Sequence, residues 1–248
     1  MEALHLIQRE KFLAALPAEG KARLRSCAGT GTSAWLTAIP SSGWTRISLT
    51  LFTTAIRLRL GLSIPEIRRN PICVYGTPLD VEGQHAQTCG TGGGVWWWHE
   101  QMKDAFYSLL QGLRHCYVIR EPTFGQLGLS TATRLVEERQ KRPDFLAGLP
   151  SGDTVLADVA VTHPFSIDAN RLCRFAKTAG SAARGMEKVK NDRYGEICHE
   201  IGFRFVPLVF ETYGRPGEGV LRFLKEVVKL GAGLGAGRVR GGEGDEAV

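Results

Sequence analysis

The sequence predicts a mixed α/β fold, with a sheet flanked by helices over residues 95–230. Apolar residues recur at helical spacing over 98–113, which indicates an amphipathic helix. Two runs at 145–149 and 154–162 are instead short and rich in β-favouring residues, and a turn at 150–152 separates them. With 43% hydrophobic and 23% charged residues, the composition is that of an ordinary globular domain that can bury a core.

The remaining elements follow from the same periodicities. Helices are predicted at 3–16, 47–62, 168–194 and 218–230, and further strands at 116–120 and 203–212. The chain is therefore expected to divide into successive segments. These are a helical N-terminal segment at 1–70, a turn-rich segment at 71–94, the α/β domain at 95–230 and a disordered, Gly-rich tail at 231–248.

The charge balance favours an anionic partner. The formal net charge is +6 and the isoelectric point is about 9.1, which suits nucleic acid or an acidic membrane face, although a merely basic soluble protein has the same balance. No stretch approaches the roughly 18 apolar residues that a membrane span needs. The six cysteines are scattered and the first residues do not resemble a secretory signal, so we expect a nuclear or cytoplasmic protein with reduced thiols.

The turn between the two short strands determines where two aspartates lie. If Pro150-Ser151-Gly152 is a three-residue hairpin loop ending in a left-handed glycine, Leu149 faces Asp153. Counting back along both strands then pairs Asp144 with Asp158, and their β-carbons would lie roughly 5 Å apart on one face. A two-residue loop would shift the register by one and place the two side chains on opposite faces.

Two opposed carboxylates need a compensating charge. A divalent cation supplies it, and magnesium prefers oxygen ligands. Asp158 also interrupts the apolar run 155–161, where a buried carboxylate is costly unless it is paired or metal-bound. The alternative is that Asp158 lies on the solvent face and Asp144 is an ordinary turn residue.

Short motifs spread over residues 33–230 carry a family resemblance. In chain order they are Trp35–Ser42, Ala55–Leu62, Leu79–Cys89, Glu121-Pro122, Arg142-Pro143-Asp144, Asp158-Val159-Ala160-Val161, Lys190–Tyr194, Phe205-Val206-Pro207 and Glu211–Gly214. Together they resemble the restriction-like endonuclease domain of early-branching non-LTR retrotransposons. That domain is a variant of the PD-(D/E)xK nuclease fold, so the resemblance implies a PD-(D/E)xK-like mixed sheet in this chain.

The resemblance implies a role for each matched residue. Asp144 and Asp158 would hold a magnesium ion, and Glu121 would add a further carboxylate. Lys190 would orient or polarise the attacking water, because the family places its lysine on the next helix and the position two residues beyond the second acid is Ala160 here. The basic residues predicted to contact nucleic acid are Arg57, Arg59, Arg142 and Arg193.

The sequence departs from the family pattern at the lysine motif. Arg193 stands where the second lysine of Lys-x-x-Lys-Tyr is expected, and arginine keeps the charge but does not transfer protons near neutral pH. Lys188 and Lys177 are alternative candidates for the functional amine. Taken without the family, Lys190 reads as part of a solvated helix face.

The turn-rich segment holds residues suited to zinc. Cys73, His85 and Cys89 match three of the four ligands of the zinc knuckle that the resemblance implies, but the second cysteine expected just after the first is missing. Water or His99 could complete the site, and the alternative is a degenerate loop held by apolar packing. The three tryptophans at 96–98 are expected to pack in the core or against this segment rather than to stack on bases.

The resemblance implies a magnesium-dependent endonuclease that nicks target DNA and exposes a 3′ hydroxyl for target-primed reverse transcription. DNA and retroelement RNA would be its partners, magnesium its cofactor and zinc a second metal. No segment resembles the catalytic Asp-Asp motif of a polymerase. Two alternatives remain. One is a catalytically inactive nucleic-acid-binding remnant, which the incomplete knuckle and the basic charge favour, and the other is a poorly folding pseudogene product.

Overall fold

The computed structural model describes residues 2–40, 46–91, 94–129 and 136–236, and these have the predicted mixed α/β architecture. The helices are α1 (Glu2–Ala15), α2 (Ala18–Ser26), α3 (Ala34–Thr37), α4 (Leu49–Leu60), α5 (Pro65–Arg69), α6 (Gln84–Thr88), α7 (Gly94–Gln111), α8 (Val136–Gln140), α9 (Ala169–Lys177), α10 (Ser181–Glu200) and α11 (Glu218–Ala236). The strands are β1 (Tyr117–Arg120), β2 (Phe145–Gly148), β3 (Thr154–Thr162) and β4 (Arg204–Glu211).

The strands form a sheet in which chain order and spatial order agree, β1-β2-β3-β4. β1 pairs with β2 and β2 with β3, both antiparallel, with Arg120 opposite Phe145 and Phe145 opposite Ala157. β2 is buried at every position and β3 at six consecutive positions. Both faces of these strands are therefore covered, which explains why their sequences are apolar runs rather than alternations.

The helix predicted at 168–194 is in fact two helices, α9 and α10, with a break at 178–180. Gly180 lies in the break with φ = +74°, a conformation that a helix does not contain and that glycine adopts at little cost. Asp168 begins α9, because its Oδ1 accepts a hydrogen bond from the backbone N–H of Arg171 at 2.7 Å. A break of three residues is shorter than one helical turn, so hydrophobic periodicity alone did not reveal it.

The prediction of disorder from residue 231 onward is wrong for its first six residues, since α11 continues to Ala236. Residues 237–248 lie outside the described residues. The prediction relied on the glycines of this tail, each of which lowers the stability of a helix by about 1 kcal/mol relative to alanine. The buried residues Val220, Phe223 and Val227 anchor the earlier turns of α11. Once a helix is established, each further residue adds a hydrogen bond without a new nucleation cost.

The chain forms two compact units, each assembled from separated segments. The first unit comprises the chain up to His99 together with Ala160–Glu187 and Val209–Gly217. The second comprises Glu100–Val159, Lys188–Leu208 and the chain from Glu218. The sequence was expected to divide into successive segments instead. Local patterns cannot reveal this arrangement, because β3, α10 and β4 are each continuous elements with residues in both units.

The second unit has an aromatic and aliphatic core that supports β2, β3 and α10. Its buried residues are Phe124, Leu129, Leu146, Leu156, Tyr194, Ile197 and Cys198. The ring of Tyr194 lies 6.0 Å from that of Phe124 and 5.3 Å from that of Phe205, centroid to centroid. Burial raises the pKa of Cys198 to about 12, so this thiol stays protonated and acts as a small apolar side chain.

The first unit has a smaller core in which α2 packs on α9. Ala22, Leu172, Phe175 and Ala182 form this cluster. Arg25 Nε donates a hydrogen bond to the carbonyl oxygen of Ala176 at 2.6 Å, which ties the two helices together. The sequence did not predict α2, because its nine residues carry a weak apolar pattern and tertiary contacts stabilise it instead.

The prediction that the three tryptophans are packed is wrong. Trp96, Trp97 and Trp98 lie near the start of α7 and are each more than half exposed. Consecutive residues on a helix point about 100° apart, so three in a row span too wide an arc for all of them to face one core. They are available to an external partner.

His163 in the first unit couples folding to pH. Its Nδ1 lies 2.6 Å from Thr212 Oγ1, and its ring is 5.4 Å from the ring of Tyr213. Burial lowers the pKa of His163 from 6.5 to about 4, against a smaller opposing effect of Asp80. The folded protein therefore holds a neutral imidazole at pH values where the unfolded chain binds a proton.

We expect the folded state to lose about 2–3 kcal/mol of stability from this residue as the pH falls from about 6.5 to 4, with no further loss below that range. Denaturant unfolding at pH 7.5 and pH 4.5 measures the difference. The His163→Gln protein, which cannot titrate, should show a correspondingly smaller loss. An unchanged loss in that variant would assign the acid sensitivity to other groups.

Candidate active site

The hairpin between β2 and β3 has the register that the sequence predicts. The backbone N–H of Leu149 donates to the carbonyl of Asp153 at 2.8 Å, and 150–152 form the loop between them. Gly152 has φ = +91°, as a left-handed glycine requires. With Phe145 opposite Ala157, the next pair is Asp144 and Asp158. The two-residue loop considered as an alternative is therefore wrong.

The pairing of β1 with β2 places a third acidic residue beside Asp144 and Asp158. Because Arg120 lies opposite Phe145, Glu121 lies opposite Asp144, and its backbone N–H donates to the carbonyl of Asp144 at 2.9 Å. Glu121, Asp144 and Asp158 therefore lie side by side on three neighbouring segments, and we call these three residues the acid row. Glu121 has φ = +46°, a conformation that costs about 1–2 kcal/mol for a residue with a side chain.

Asp144 is 8% exposed, and protein groups lie against both of its carboxylate oxygens. Oδ2 accepts a hydrogen bond from the backbone N–H of Val159 at 2.6 Å. Oδ1 lies 3.7 Å from the Nζ of Lys103 on α7. Asp144 is therefore held against the residue that follows Asp158, and the interpretation of it as an ordinary turn residue is wrong.

Asp158 is 4% exposed, so it does not lie on a solvent face. Lys190 from α10 makes an ion pair with its Oδ2. Tyr194, one turn further along α10, hydrogen-bonds to the same carboxylate. Burial, followed by the charge of Asp158, raises the pKa of Tyr194 to about 12, so the phenol keeps its proton and donates it to this bond.

The three candidate amines differ in their surroundings. Lys190 is mostly buried at the acid row, so it is not part of a solvated helix face. Lys188 on the same helix is exposed and pairs with Asp192 at 2.7 Å. Lys177 lies exposed at the end of α9 in the first unit.

Lys103 is a second buried amine that the sequence analysis missed. It is 5% exposed, its Nζ lies 2.9 Å from Glu100 Oε1, and it makes an ion pair with Glu121. Burial lowers the pKa of Lys103, but the bonds to Glu121 and Glu100 and the charge of Asp144 outweigh it, and the net pKa is raised. The available signal was positional, since Lys103 shares the apolar stripe of α7 with the buried residue Phe106.

The acid row offers oxygen ligands of the kind that magnesium prefers. Four carboxylates, those of Glu100, Glu121, Asp144 and Asp158, surround two ammonium groups in the second unit. The carboxylates of the described residues do not converge as three ligands within 4.8 Å. They are instead arranged around the ammonium groups, which occupy the spaces between them.

The predicted nucleic-acid-binding arginines fall into two classes. Arg142 and Arg193 are exposed in the second unit. The guanidinium of Arg59 is occupied by hydrogen bonds within the first unit. It donates to the carbonyls of Cys27 at 2.9 Å and Tyr213 at 2.6 Å, among other acceptors. Arg57 donates to the carbonyl of Ser63 at 2.8 Å. Exposure thus favours Arg142 and Arg193 as contacts to a ligand.

The three predicted zinc ligands meet in the first unit. One ligand atom from each of Cys73, His85 and Cys89 lies within 4.8 Å of the others. His85 and Cys89 lie at the two ends of the short helix α6. Asp80 accepts hydrogen bonds from the backbone N–H groups of Gln84 and His85 in the first turn of this helix, at 2.8 and 2.6 Å. His99, one of the two candidates for the fourth ligand, does not belong to this group, and water is the other.

The donor atoms of this cluster fit a zinc ion. A hydrogen bond from the backbone of Tyr75, with smaller effects of His85 and Thr77, lowers the pKa of Cys73 to about 6 against the opposing effect of desolvation. This lowering favours the thiolate of Cys73, the form that binds metals. Nε2 of His85 is shielded from solvent and has no hydrogen-bond partner among the described residues. A metal ion would satisfy such a nitrogen.

No family model, curated protein or solved structure matches the chain. The resemblance to restriction-like endonucleases therefore remains an expectation from the sequence motifs. Among the described helices, none has the length and apolar character needed to cross a membrane.

Proposed function

We propose that the protein is a magnesium-dependent DNA endonuclease of the PD-(D/E)xK type, related to the nuclease domain of non-LTR retrotransposons. The observation that carries the proposal is the row of Glu121, Asp144 and Asp158 with the Lys190 ammonium against its last member. Two buried acids from neighbouring antiparallel segments and an amine from α10 are groups that suit metal-assisted hydrolysis of a phosphodiester.

The acid row and the two α10 residues beside it would share the tasks of this mechanism. Asp144 and Asp158 would hold the ion, which lowers the pKa of bound water and stabilises charge on the phosphate. The Lys190 ammonium, which pairs with Asp158, would orient the attacking water and offset the phosphate charge. Tyr194 keeps its proton and fixes the orientation of the Asp158 carboxylate. Glu121 would add a further carboxylate to the site.

The wider role follows the same family. The nick would expose a 3′ hydroxyl from which a reverse transcriptase starts synthesis, so retroelement RNA joins DNA as a partner. Zinc would bind Cys73, His85 and Cys89, with water as the fourth ligand, and stabilise the segment around α6. Arg142 and Arg193, both exposed, would contact backbone phosphates.

A plasmid-nicking assay tests the proposal. The purified protein should convert supercoiled plasmid to the open circular form with magnesium and not with a chelator. Asp158→Ala should lower the rate by at least about a thousandfold, because it removes a ligand of the ion and the partner of Lys190. Asp192→Ala is the matched control, since this acid is exposed on α10 and pairs with Lys188. Equal nicking by wild type and Asp158→Ala, or none by either, would remove the catalytic claim.

A second candidate function is nucleic-acid binding without cleavage. Exposed basic and aromatic groups in the first unit favour it, namely Arg171 and Arg174 beside an open cavity of about 300 Å³ and the tryptophans at 96–98. Binding of a labelled duplex should then survive Asp144→Ala with Asp158→Ala and weaken steeply between 50 and 200 mM salt. A binding affinity that does not change with the salt concentration would contradict this second candidate function.

A further inference from the structure

We propose that an open cavity between α9 and α10 in the first unit is a binding site for a phosphate group. The cavity has a volume of about 300 Å³, and its lining residues are Arg171, Arg174, Phe175, Ser181, Ala182 and Gly185. None of them belongs to the acid row, so the site does not depend on cleavage. The inference deepens the second candidate function and rests on it only where the phosphate belongs to a nucleic acid.

Two guanidinium groups on one side of α9 carry the inference. Arg171 and Arg174 are three residues apart, so their side chains leave the helix on the same face. Cζ of Arg171 lies 5.7 Å from the ring centroid of the buried Phe175, and this ring supports the guanidinium at the cavity. The hydroxyl of Ser181 donates to the carbonyl of Arg174 at 3.3 Å, so the side-chain donors offered to a ligand are the two guanidinium groups.

The charge around the cavity favours an anion. Residues 169–186 contain no acidic residue and four basic ones, Arg171, Arg174, Lys177 and Arg184. Two acids contact the starts of the helices. Asp168 Oδ1 accepts from the backbone N–H of Arg171 at 2.7 Å, and Glu211 Oε1 accepts from that of Ala183 at 3.0 Å. Neither acid lines the cavity, so the charged side chains that a ligand meets there are basic.

A phosphate group suits these donors better than a carboxylate does. An arginine binds phosphate through two parallel N–H···O bonds, and a phosphate has enough oxygens to accept from both guanidinium groups at once. The small residues Ala182 and Gly185 leave the α10 side of the cavity open to such a group. A nucleic-acid strand and free inorganic phosphate both present this chemistry, and the experiment uses both as probes.

Binding of a labelled single-stranded oligonucleotide, measured with a chelator present so that no cleavage occurs, tests the inference. Arg171→Gln with Arg174→Gln should weaken binding at least about tenfold, because charge-assisted hydrogen bonds are lost. Lys177→Gln with Arg184→Gln is the matched control, since it removes the same charge from exposed residues that do not line the cavity. At about 0.15 M salt, which screens exposed charges, this control should weaken binding less than about threefold.

A change on the α10 side blocks the cavity without removing a basic residue. Gly185 is helical and exposed, and a β-carbon added to it meets no described atom within 4 Å, so the helix accommodates Gly185→Glu. The new carboxylate would compete with phosphate for the arginines, and oligonucleotide binding should weaken at least about tenfold. Gly195→Glu makes the same charge change further along α10, where an added β-carbon has equal room, and should weaken binding less than about threefold.

The outcomes separate the site from the source of its phosphate. If calorimetry shows the same pattern of losses for inorganic phosphate while the oligonucleotide does not bind, the site stands and nucleic acid is overturned as its source. Equal losses in the cavity variants and their controls would overturn the site, and so would binding of neither probe by wild type. Nicking plays no part in these measurements, so failure of the proposed endonuclease activity is a separate result.

Discussion

The Lys190→Met protein is expected to lose both stability and nicking activity. Lys190 makes an ion pair with a carboxylate that is almost fully buried, and the substitution removes this opposite charge from beside it. Loss of one member of a buried pair costs about 3–5 kcal/mol, and the partial exposure of Lys190 puts the expected loss at about 2–4 kcal/mol. Nicking should fall about 100- to 1000-fold, the effect of removing one group that stabilises transition-state charge.

Lys188→Met is the matched control for this change. Lys188 stands on the same helix, but it is exposed and its pair with Asp192 is worth well under about 1 kcal/mol. The Lys188→Met substitution should leave the nicking rate unchanged. Denaturant unfolding and the plasmid assay measure the two effects. A double variant, Lys190→Met with Asp158→Asn, should regain most of the stability but none of the activity. Equal effects of the two lysine changes would show that position on α10, and not contact with Asp158, decides the outcome.

Zinc is expected to raise the free energy of unfolding by about 3 kcal/mol when its concentration is about 100 times the dissociation constant. The reason is that Cys73, His85 and Cys89 are brought together only in the folded chain. Metal analysis should find about one zinc per chain. Unfolding measured with zinc and after dialysis against a chelator gives the size of the stabilisation.

Two cysteine variants distinguish this site from adventitious binding. Cys73→Ser should abolish both the bound zinc and the stabilisation. Cys116→Ser should abolish neither, because this half-buried thiol does not belong to the cluster and burial raises its pKa, so it remains protonated. Stabilisation of equal size in the two variants would show that zinc acts elsewhere on the chain.

The register of the acid pair was predictable because a hairpin is local. Pro150 to Gly152 determine the loop, and counting from the loop places Asp144 opposite Asp158. The place of Lys190 beside Asp158 was expected only from the sequence resemblance, since a lysine in a long helix has no local property that marks it as buried. The placement of Glu121 required the pairing of β1 with β2, which the sequence does not specify.

Lys103 shows why the remaining features of the candidate site could not be predicted from the sequence. Its burial depends on which face of α7 packs inward and on the approach of Glu121 from another segment, and both are tertiary facts. Its place in an apolar stripe was a signal, but lysines often extend their charge from such stripes into solvent. The two-unit organisation was likewise hidden, because each unit depends on contacts between distant segments.

The interleaved organisation of the chain determines which fragments are worth expressing. A piece that starts at residue 95 contains the acid row, but it also contains Leu172 and Phe175 without the helix α2 that covers them. That piece would present a bare apolar surface and aggregate. A folded fragment that keeps the acid row therefore cannot be obtained by trimming the chain to residues 95–230, and the N-terminal helices must be kept with it.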